Sequence, residues 1–344
     1  MRRLREIEAC VVHPARTWRP DSPRACIFVT VPFLMPGVVA KASQADVSGQ
    51  LEIGVGASSA ETSYSRPFLK WAGGKTQLLP QLARFYPPRG KVERYIEPFL
   101  GSGAVFFHVK ALVRPRRALL WDNNRELIDT FKAVQKDVGQ VIKLLTQYRE
   151  LHSKEFFLSM REKRPRSAAA IAARLIYLNK TCFNGLYRVN SRGMFNVPFG
   201  RHTNPGLFNE EWLRHAAHQL AGAKIEAEDF RLLEVEAKKH DFIYFDPPYH
   251  PRSKTSYFTA YTRDLFGQAE QEKLAALFRK LDRKGCLLML SNSDTPLMRE
   301  LYKGFDIREV SARRFINSRA DRRGPIRELV VLNRRLVEAS NARA

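Results

Sequence analysis

The chain has 344 residues, of which 44% are hydrophobic and 27% are charged, so it can bury a substantial core and disorder throughout is excluded. Its longest apolar run, residues 26–40, is about fifteen residues long and is broken by Pro32 and Pro36, which excludes a membrane-spanning helix. The net charge of +23 predicts an anionic partner, most often nucleic acid, whereas a generally basic surface without a partner is the plain alternative.

The excess positive charge is concentrated in one part of the chain. Residues 1–62 carry seven Lys or Arg and six Asp or Glu, a balance of +1, which leaves +22 for residues 63–344. Because residues 1–62 also mix Pro, Gly, Ser and Ala without a helical or strand period, they are predicted to form a weakly ordered N-terminal extension. The basic surface therefore belongs to the folded body.

The four cysteines and the first apolar run bear on the cellular compartment. No C-x-x-C pair occurs, so neither a zinc ribbon nor a disulfide framework is predicted, and the thiols are expected to be free. Arginines precede the run 26–40, as in a signal peptide, but no small-x-small cleavage site follows it. We therefore expect a cytoplasmic protein without a membrane anchor.

Predicted strands and helices alternate from residue 94 onward. Residues 95–97 and 118–121 are predicted as strands, and residues 101–113 between them as a helix. A second helix follows, with an apolar face formed by Leu127, Ile128, Phe131 and Val134. This order predicts an α/β fold with a parallel, doubly wound, Rossmann-like sheet.

Residues 139–222 interrupt this alternation. They combine helical patterns with a stretch rich in Gly, Asn and Arg, so an inserted, mainly helical domain is predicted. The elements predicted after it are a strand at 242–245, a helix at 268–281, a strand at 287–290 and paired strands at 307–315 and 326–332. The sheet domain is therefore predicted to be split into residues 63–138 and 223–335, with a tail at 336–344.

The segment 97–103, E-P-F-L-G-S-G, lies where the first strand turns into a helix. Glycine there lets the backbone approach a ligand at the helix N-terminus, although alone this is a weak signal. The segment departs from the dinucleotide fingerprint G-x-G-x-x-G because Phe106 occupies the third glycine position, which disfavours a nicotinamide or flavin enzyme. Asp122, 21 residues beyond Gly101, is placed to accept hydrogen bonds from ribose hydroxyls, with an N-cap of the next helix as the alternative. An adenosine cofactor without a pyrophosphate fits both features.

The sequence Gly73-Gly74-Lys75-Thr76 resembles part of an ATP-binding P-loop but fails the full test. The first glycine of that motif is replaced by Leu69, and no clear strand ends immediately before it. Lys75 could instead pair with a cofactor carboxylate as a point charge, and a solvated surface lysine is the alternative.

Asp246-Pro247-Pro248-Tyr249, at the end of a predicted buried strand, is the most specific motif in the chain. Two consecutive prolines donate no N–H and hold an extended backbone at the sheet edge where ligands bind. The loop thus offers a carboxylate and a backbone carbonyl as acceptors, with an aromatic face beside them. An exocyclic amino group on a flat base requires these groups, whereas a stiff turn without a ligand is the structural alternative.

These motifs, taken in order, resemble the Dam-like family of DNA adenine-N6 methyltransferases, the alpha group of the D12 class. The resemblance covers about residues 66–334, and it is carried by segments 68–75, 97–103, 122–124, 183–188, 195–201 and 246–249. It implies contacts with S-adenosyl-L-methionine (SAM) at Trp71, Lys75, Asp122 and Asp246, with Glu97 and Phe99 lining the same pocket. It also implies a recognition sequence that in this family is usually GATC.

The stretch around residue 190 has its own physical interpretation. Segments 186–190 and 194–197, joined by Ser191-Arg192-Gly193, are predicted to form a β-hairpin, which can enter a DNA major groove. Arginine can read guanine there, and an ordinary surface hairpin is the alternative. With the family resemblance, the predicted DNA-contacting residues are Leu186, Arg188, Asn190, Pro198 and Arg201.

Two further segments mix features suited to nucleic acid. Residues 250–264 interleave basic and aromatic side chains, which suits a loop that closes over an extruded nucleotide, although a mobile surface loop explains the same pattern. A group of arginines near the last strand pair could contact phosphates and set salt-dependent affinity: Arg313, Arg314, Arg319, Arg322 and Arg323.

The sequence therefore predicts a SAM-dependent, site-specific DNA methyltransferase acting on adenine N6 in duplex DNA. The base would be flipped out, Tyr249 would stack on it, and Asp246 and the Pro247 carbonyl would accept its N–H groups, with Pro248 completing the rigid loop. We expect a monomer, associated with the nucleoid, that needs no metal. N4-cytosine methylation, RNA adenine methylation and a catalytically silent DNA-binding relative are the alternatives, and Asp rather than Ser at position 246 favours adenine. Restriction-modification, phage and housekeeping roles are all compatible with the sequence.

Overall fold

Seven strands form one sheet at the centre of the computed structural model, which describes residues 64–251, 266–312 and 326–342. The strands are β1 Arg94–Glu97, β2 Arg117–Asp122, β3 Lys224–Ala227, β4 Phe242–Phe245, β5 Leu287–Ser293, β6 Asp306–Ala312 and β7 Ile326–Leu332. Their order across the sheet is β3-β2-β1-β4-β5-β7-β6. The first five of these are parallel, whereas β7 runs antiparallel to both β5 and β6.

Helices cover both faces of the sheet. They are α1 Leu79–Leu82, α2 Ala104–Leu112, α3 Arg125–Glu150, α4 Lys154–Glu162, α5 Ala168–Thr181, α6 Glu210–Leu220, α7 Leu233–Glu236, α8 Gln268–Lys284, α9 Pro296–Leu301 and α10 Arg334–Asn341. No helix in the described segments is long and apolar enough to cross a membrane. The predicted α/β fold with a Rossmann-like sheet is confirmed.

The central strands are apolar on both sides because both faces are packed. All four residues of β4 are buried, and they alternate between two cores. Phe242 and Tyr244 pack in the core that includes α2, α3 and α5, whereas Ile243 and Phe245 pack in the core that includes α8. The alternation sets the face of the sheet to which each β4 side chain points.

β1 lies between β2 and β4 although β4 is remote from it in sequence. Ile96 is paired with Leu119 on one side and with Ile243 on the other. At the start of these strands Arg94 donates hydrogen bonds of 3.0 and 2.6 Å to the carboxylate of Asp241, across 147 residues. The two halves of the sheet domain are therefore joined at β1 and β4.

The segment between β2 and β3 is mainly helical, as predicted. Its longest helix, α3, begins at the N-cap Asn124 and contains a kink at Asp137, where φ is −149° and ψ is 61°. α3 packs along α5, and the guanidinium of Arg174 on α5 forms an ion pair of 2.7 Å with Glu126 on α3. The kink lies next to residue 138, where the domain boundary was placed from the sequence, and that division remains a prediction.

Three elements differ from the sequence expectations. β3 was not predicted, because this short strand buries only Ile225 and carries Lys224 and Glu226. The hairpin predicted at 186–197 is present but shorter than expected: Val189 and Phe195 form one antiparallel bridge, flanked by hydrogen bonds from the Asn190 N–H to the Met194 carbonyl at 2.9 Å and from the Asn196 N–H to the Arg188 carbonyl at 3.0 Å. The predicted tail begins inside α10, whose Leu336 is buried. Predictions for residues 1–62, 252–264 and 313–325 lie outside the described residues.

Candidate active site

The parallel strands create a crevice at the carboxyl edge of the sheet. From β1 the chain continues to β2 on one side, whereas from β4 it continues to β5 on the other, and ligands of open α/β sheets bind at such a switch point. Glu97 ends β1, Asp122 ends β2 and Asp246 directly follows β4. Three carboxyl groups from distant parts of the chain therefore meet at one edge.

Asp246 is held by a lysine from the segment before β1. The Nζ atom of Lys75 lies 2.9 Å from Oδ1 of Asp246, and only 3% of the lysine side chain is exposed. The same ammonium donates a 2.6 Å hydrogen bond to the Gly73 carbonyl and lies 4.6 Å from the centre of the Tyr249 ring. Burial raises the pKa of Asp246 to about 6, although the Lys75 charge opposes this rise. The interpretation of Lys75 as a solvated surface residue is therefore wrong.

The loop that carries Asp246 is fixed from behind by buried polar side chains. Gln271 on α8 donates a 2.8 Å hydrogen bond to the Pro248 carbonyl, and Asn292 on β5 accepts one of 3.1 Å from the His250 N–H. The amide of Asn292 also donates to Gln271 at 3.2 Å. Among the described residues, no hydrogen bond is made to the carbonyl of Pro247, which is buried.

Tyr249 is oriented at both ends of its side chain. Its hydroxyl donates a 2.6 Å hydrogen bond to Glu328 on β7, while the Lys75 ammonium lies over its ring. Burial raises the pKa of the Tyr249 phenol well above its usual value, and the charges of Asp246 and Glu328 add to the rise. The phenol is therefore neutral and presents a fixed aromatic face.

Asp122 links the end of β2 to the glycine turn after β1. Its carboxylate accepts a 3.0 Å hydrogen bond from the Gly101 N–H and one of 2.9 Å from the Asn124 N–H. The N-cap of α3 is Asn124, whose side chain accepts from the Leu127 N–H at 3.1 Å. The capping interpretation of Asp122 is therefore wrong. Burial raises the pKa of Asp122, and its two backbone hydrogen bonds oppose this rise.

Aromatic side chains border the crevice on two sides. The Trp71 indole packs on Gly101, whose φ is +49° and where a Cβ atom would lie 3.0 Å from the indole Cδ1. The Phe99 ring centre lies 5.4 Å from that of Phe230 and 5.6 Å from that of Phe266. A flat, partly apolar group that also carries hydroxyls would find aromatic walls and an acceptor here, so these residues fit an adenosine cofactor.

Glu97 differs from the other two carboxylates because it is only 2% exposed. It accepts a 2.6 Å hydrogen bond from the Tyr95 hydroxyl. Burial raises its pKa well above the usual value, and the charges of Asp246 and Asp122 raise it further. Glu97 therefore lies beneath the crevice, where burial disfavours its charged form.

A cavity of about 540 Å³ opens beside Trp71 and Ser102. Its wall includes the basic residues Arg66, Lys70 and Lys180. Burial, together with the charge of Lys70, lowers the pKa of Lys180 to about 8. This cavity is electropositive and suits an anionic group. The described residues contain no group of three or more His, Cys, Asp or Glu side chains that could hold a metal ion.

Comparison with known sequences identifies the family. The model of the D12 class N6 adenine-specific DNA methyltransferase family matches residues 71–316, which is more than half of the chain. The chain belongs to this family. The D12 chain is 41% identical over 285 residues to the type II methyltransferase M.MjaIII of Methanocaldococcus jannaschii, covering 78% of this chain and 99% of that one. It is 35% identical over 272 residues to the DNA adenine methylase of Escherichia coli (strain K12), covering 78% and 95%.

Family membership confirms the resemblance seen in the sequence. This D12 methyltransferase is an adenine-specific DNA methyltransferase, so its methyl donor is S-adenosyl-L-methionine and its substrate is DNA. The Pro-Pro loop, the glycine turn and the tryptophan segment all lie within or at the edge of the matched residues 71–316.

The predicted DNA-contacting residues of the D12 enzyme lie on one irregular loop. Leu186 is 43% exposed, and Arg188, Asn190, Pro198 and Arg201 are exposed as well. Arg188 is oriented by Asn196, since its Nε donates to Oδ1 at 2.7 Å and its Nη2 to the carbonyl at 3.2 Å. Their contacts with DNA remain predictions.

Several residues around the D12 site were missed by sequence reasoning. They are Tyr187, Phe230, Phe266, Gln271, Asn292 and Glu328. A signal existed for Asn292, because a polar residue at the end of an apolar parallel strand lies at the ligand-binding edge. Glu328 and Gln271 gave no such signal, since a charged residue on a strand and a glutamine on a helix are usually solvated.

Proposed function

We propose that this enzyme transfers a methyl group from SAM to the N6 atom of an adenine that is flipped out of duplex DNA, in the sequence GATC. The observation that carries the proposal is the pair of acceptors formed by the Asp246 carboxylate and the Pro247 carbonyl, with the fixed Tyr249 ring beside them. An exocyclic amino group offers two N–H donors on a flat ring, and these three groups match it.

The adenine amino nitrogen is a poor nucleophile because its lone pair is delocalised into the ring. Tyr249 would stack on the flipped base, while Asp246 and the Pro247 carbonyl accept its two N–H groups. This arrangement would turn the lone pair out of the ring plane. Orientation supplies most of the acceleration, because reacting atoms held at contact distance need no further ordering.

Lys75 favours the ionised form of Asp246, which can accept hydrogen bonds from the base. Burial alone would favour a protonated carboxyl, which could accept fewer hydrogen bonds, and the ammonium at 2.9 Å opposes protonation. With a pKa of about 6, Asp246 is largely ionised at neutral pH. Asp246 would lose its proton before the base arrives.

The side of the crevice proposed to bind the methyl donor is formed by residues that suit an adenosine with a charged tail. Asp122 would accept the ribose hydroxyls, Trp71 and Phe99 would pack against the cofactor, and Glu97 would support the floor of the pocket. SAM, when bound, supplies an electrophilic methyl group on a sulfonium. The enzyme would then act on duplex DNA as a monomer, without a metal.

Recognition of GATC is assigned to the loop with Leu186, Arg188, Asn190, Pro198 and Arg201. Arg188 would read a guanine, since a guanidinium can donate two parallel hydrogen bonds to its major-groove edge. Asn196 already accepts two hydrogen bonds from the arginine side chain, which lowers the entropy lost on binding.

The experiment that tests the proposal compares Asp246→Ala with the wild-type enzyme. Labelled SAM is incubated with duplex oligonucleotides that contain GATC or a scrambled sequence, and DNA binding is measured in parallel. We expect wild type to methylate only GATC, and Asp246→Ala to lose methyl transfer while DNA binding stays within about tenfold, since the acceptor contributes mainly to orientation. Asp306→Ala, which removes a half-buried carboxylate paired with Arg308 away from the crevice, is the control. Near-normal methylation by Asp246→Ala would contradict the proposed site.

A further inference from the structure

Trp71 and Tyr187 form a stacked pair that joins the cofactor side of the crevice to the loop proposed to read DNA. Their ring centres lie 5.2 Å apart and their planes differ by 27°. Trp71 packs on the Gly101 turn, whose N–H is bonded to Asp122. Tyr187 directly precedes Arg188 in the chain. The stacking of Trp71 on Tyr187 is therefore a direct contact between the cofactor side of the crevice and the loop proposed to read DNA.

The remaining sides of Tyr187 are also fixed. Its hydroxyl donates a 2.9 Å hydrogen bond to Glu126, and Glu126 is held in turn by the buried Arg174 at 2.7 Å. The Phe195 ring meets the Tyr187 ring edge to face, with 6.0 Å between their centres. A change in the loop at residues 186–190 must therefore either move the Trp71 indole or break these contacts.

A second connection lies directly beside the stacked pair. Asn179 is fully buried and exchanges two hydrogen bonds of 2.8 Å with the backbone of Lys70. Its amide also donates to the Gly185 carbonyl at 3.0 Å. Gly185 packs so closely on Lys70 that a Cβ atom there would lie 2.5 Å from the lysine Cδ. Lys70, which precedes Trp71, and Gly185, which lies two residues before Tyr187, are thus held in close contact.

We propose that Tyr187 is a positioning residue that couples cofactor binding to sequence recognition. Seating of the recognition sequence holds the loop in one arrangement, the Tyr187 contacts pass that arrangement on to the Trp71 indole, and the cofactor then binds more tightly. The inference rests on the proposed function, in which Trp71 contacts the cofactor and the loop reads DNA. Coupling between two ligands is reciprocal, so the cofactor raises the affinity for GATC by the same factor. DNA held only through phosphates does not seat the loop and changes cofactor affinity little.

The coupling is measured as the ratio of two dissociation constants for S-adenosylhomocysteine, which cannot transfer a methyl group. One is determined by calorimetry without DNA, and the other with a saturating duplex that contains GATC or a scrambled site. For wild type we expect a ratio of about five or more with GATC, the lower end of typical coupling, and a ratio near one with scrambled DNA. Tyr187→Leu, which removes the stacked ring, should bring the GATC ratio close to one.

Two matched variants distinguish a loss of coupling from a general loss of structural stability. Tyr187→Phe keeps the stacked ring and should keep the wild-type ratio. Phe156→Leu also removes a half-buried aromatic side chain from the helical segment, but this ring packs on Tyr148 and Tyr177 at 5.5 and 5.3 Å and should leave the ratio unchanged. If Tyr187→Leu does not fold, Tyr187→Met replaces it, because a flexible thioether fills the space without an aromatic face.

The outcomes are distinct. A Tyr187→Leu or Tyr187→Met enzyme that is folded and keeps the wild-type ratio within twofold would overturn the inference. A wild-type ratio near one, with methylation of GATC intact, would also overturn it while leaving the proposed function in place. Failure of wild type to bind S-adenosylhomocysteine or to methylate GATC would instead overturn the proposed function.

Discussion

The Tyr249 hydroxyl donates a 2.6 Å hydrogen bond to Glu328, a residue 79 positions later on the antiparallel strand β7. Tyr249 lies on the proline loop that follows the parallel strand β4. Glu328 lies on β7, which is not one of the five parallel strands. The hydrogen bond sets the rotation of the tyrosine ring. The ring proposed to face the base is therefore positioned by a strand outside the crevice.

We expect Glu328→Ala to lower kcat more than it weakens SAM binding. Loss of this charge-assisted hydrogen bond frees the Tyr249 ring, and a small misplacement of a group that orients the base should cost roughly 10- to 100-fold in kcat. Single-turnover methylation and SAM calorimetry measure the two quantities. Glu309→Ala, which removes an exposed carboxylate paired with Arg299 at 2.7 Å on the neighbouring strand, is the control. An unchanged kcat in Glu328→Ala would show that Tyr249 is oriented without this contact.

The methylation rate should fall on the acid side with the titration of Asp246. Its ionised form accepts the N–H groups, and its pKa is about 6, so kcat/KM should be flat above pH 7 and drop about tenfold per pH unit well below 6. The Lys75 charge lowers this pKa, so Lys75→Gln should move the acid limb to higher pH. A profile that stays flat to pH 5 in wild type would remove Asp246 from the reaction.

The same titration has the opposite effect on stability. Because burial places the pKa of Asp246 above its usual value, the folded protein binds this proton more tightly than the unfolded chain does. Protonation of Asp246 therefore stabilises the fold as the pH falls through 6, and this contribution is lost as the pH rises. Activity should therefore decline in acid over the same pH range in which this residue raises Tm, from about 6 downward, which thermal unfolding at each pH would check.

The sequence was informative where chain direction alone decides the position of a side chain. Asp122 and Asp246 each follow a predicted parallel strand, and such strands end at the same edge of a sheet, so their proximity could be predicted. The ion pair of Asp246 with Lys75 could not, because it depends on how the segment before β1 packs. The hairpin pattern predicted the pairing of Val189 with Phe195 but not its short length, which the sequence pattern does not reveal. Pro198 has no N–H with which to extend the ladder.

Asp122→Ala is expected to weaken SAM binding by about 1.5–3 kcal/mol, the range for a hydrogen bond to a charged group. The structure offers a matched control in Asn124, because this residue caps α3 only two positions away. Asn124→Ala should cost about 1 kcal/mol of folding free energy and leave SAM affinity within twofold. Calorimetry with each variant makes the comparison. Equal SAM affinity in Asp122→Ala and wild type would restrict Asp122 to holding the Gly101 turn.

Arg188→Ala is expected to relax sequence discrimination at one base pair by about 1–3 kcal/mol, with the salt dependence of binding nearly unchanged. A phosphate contact would behave differently, because its loss weakens binding to every sequence and lowers the slope of log affinity against log salt by about one. Methylation of GATC and its single-base variants, with binding at several salt concentrations, distinguishes the two.

Arg164→Ala is the control for this prediction, since Arg164 contacts the same loop through the Arg192 carbonyl at 3.2 Å. It should leave base discrimination as in wild type. A uniform loss of affinity in Arg188→Ala, with a shallower salt slope, would assign this arginine to the DNA backbone.

The junction of β1 with β4, held at its start by Arg94 and Asp241 across 147 residues, has a consequence for how the chain folds. Closing so long a loop is entropically costly, whereas contacts between α3 and α5 are more local and can form early. We expect helical circular dichroism to recover first in refolding, with SAM binding appearing in a slower phase, and coincident phases would contradict this order. On the ribosome, the crevice cannot exist until β4 has emerged, so β1 can pair with β2 early but must leave its other edge unpaired until β4 is synthesised.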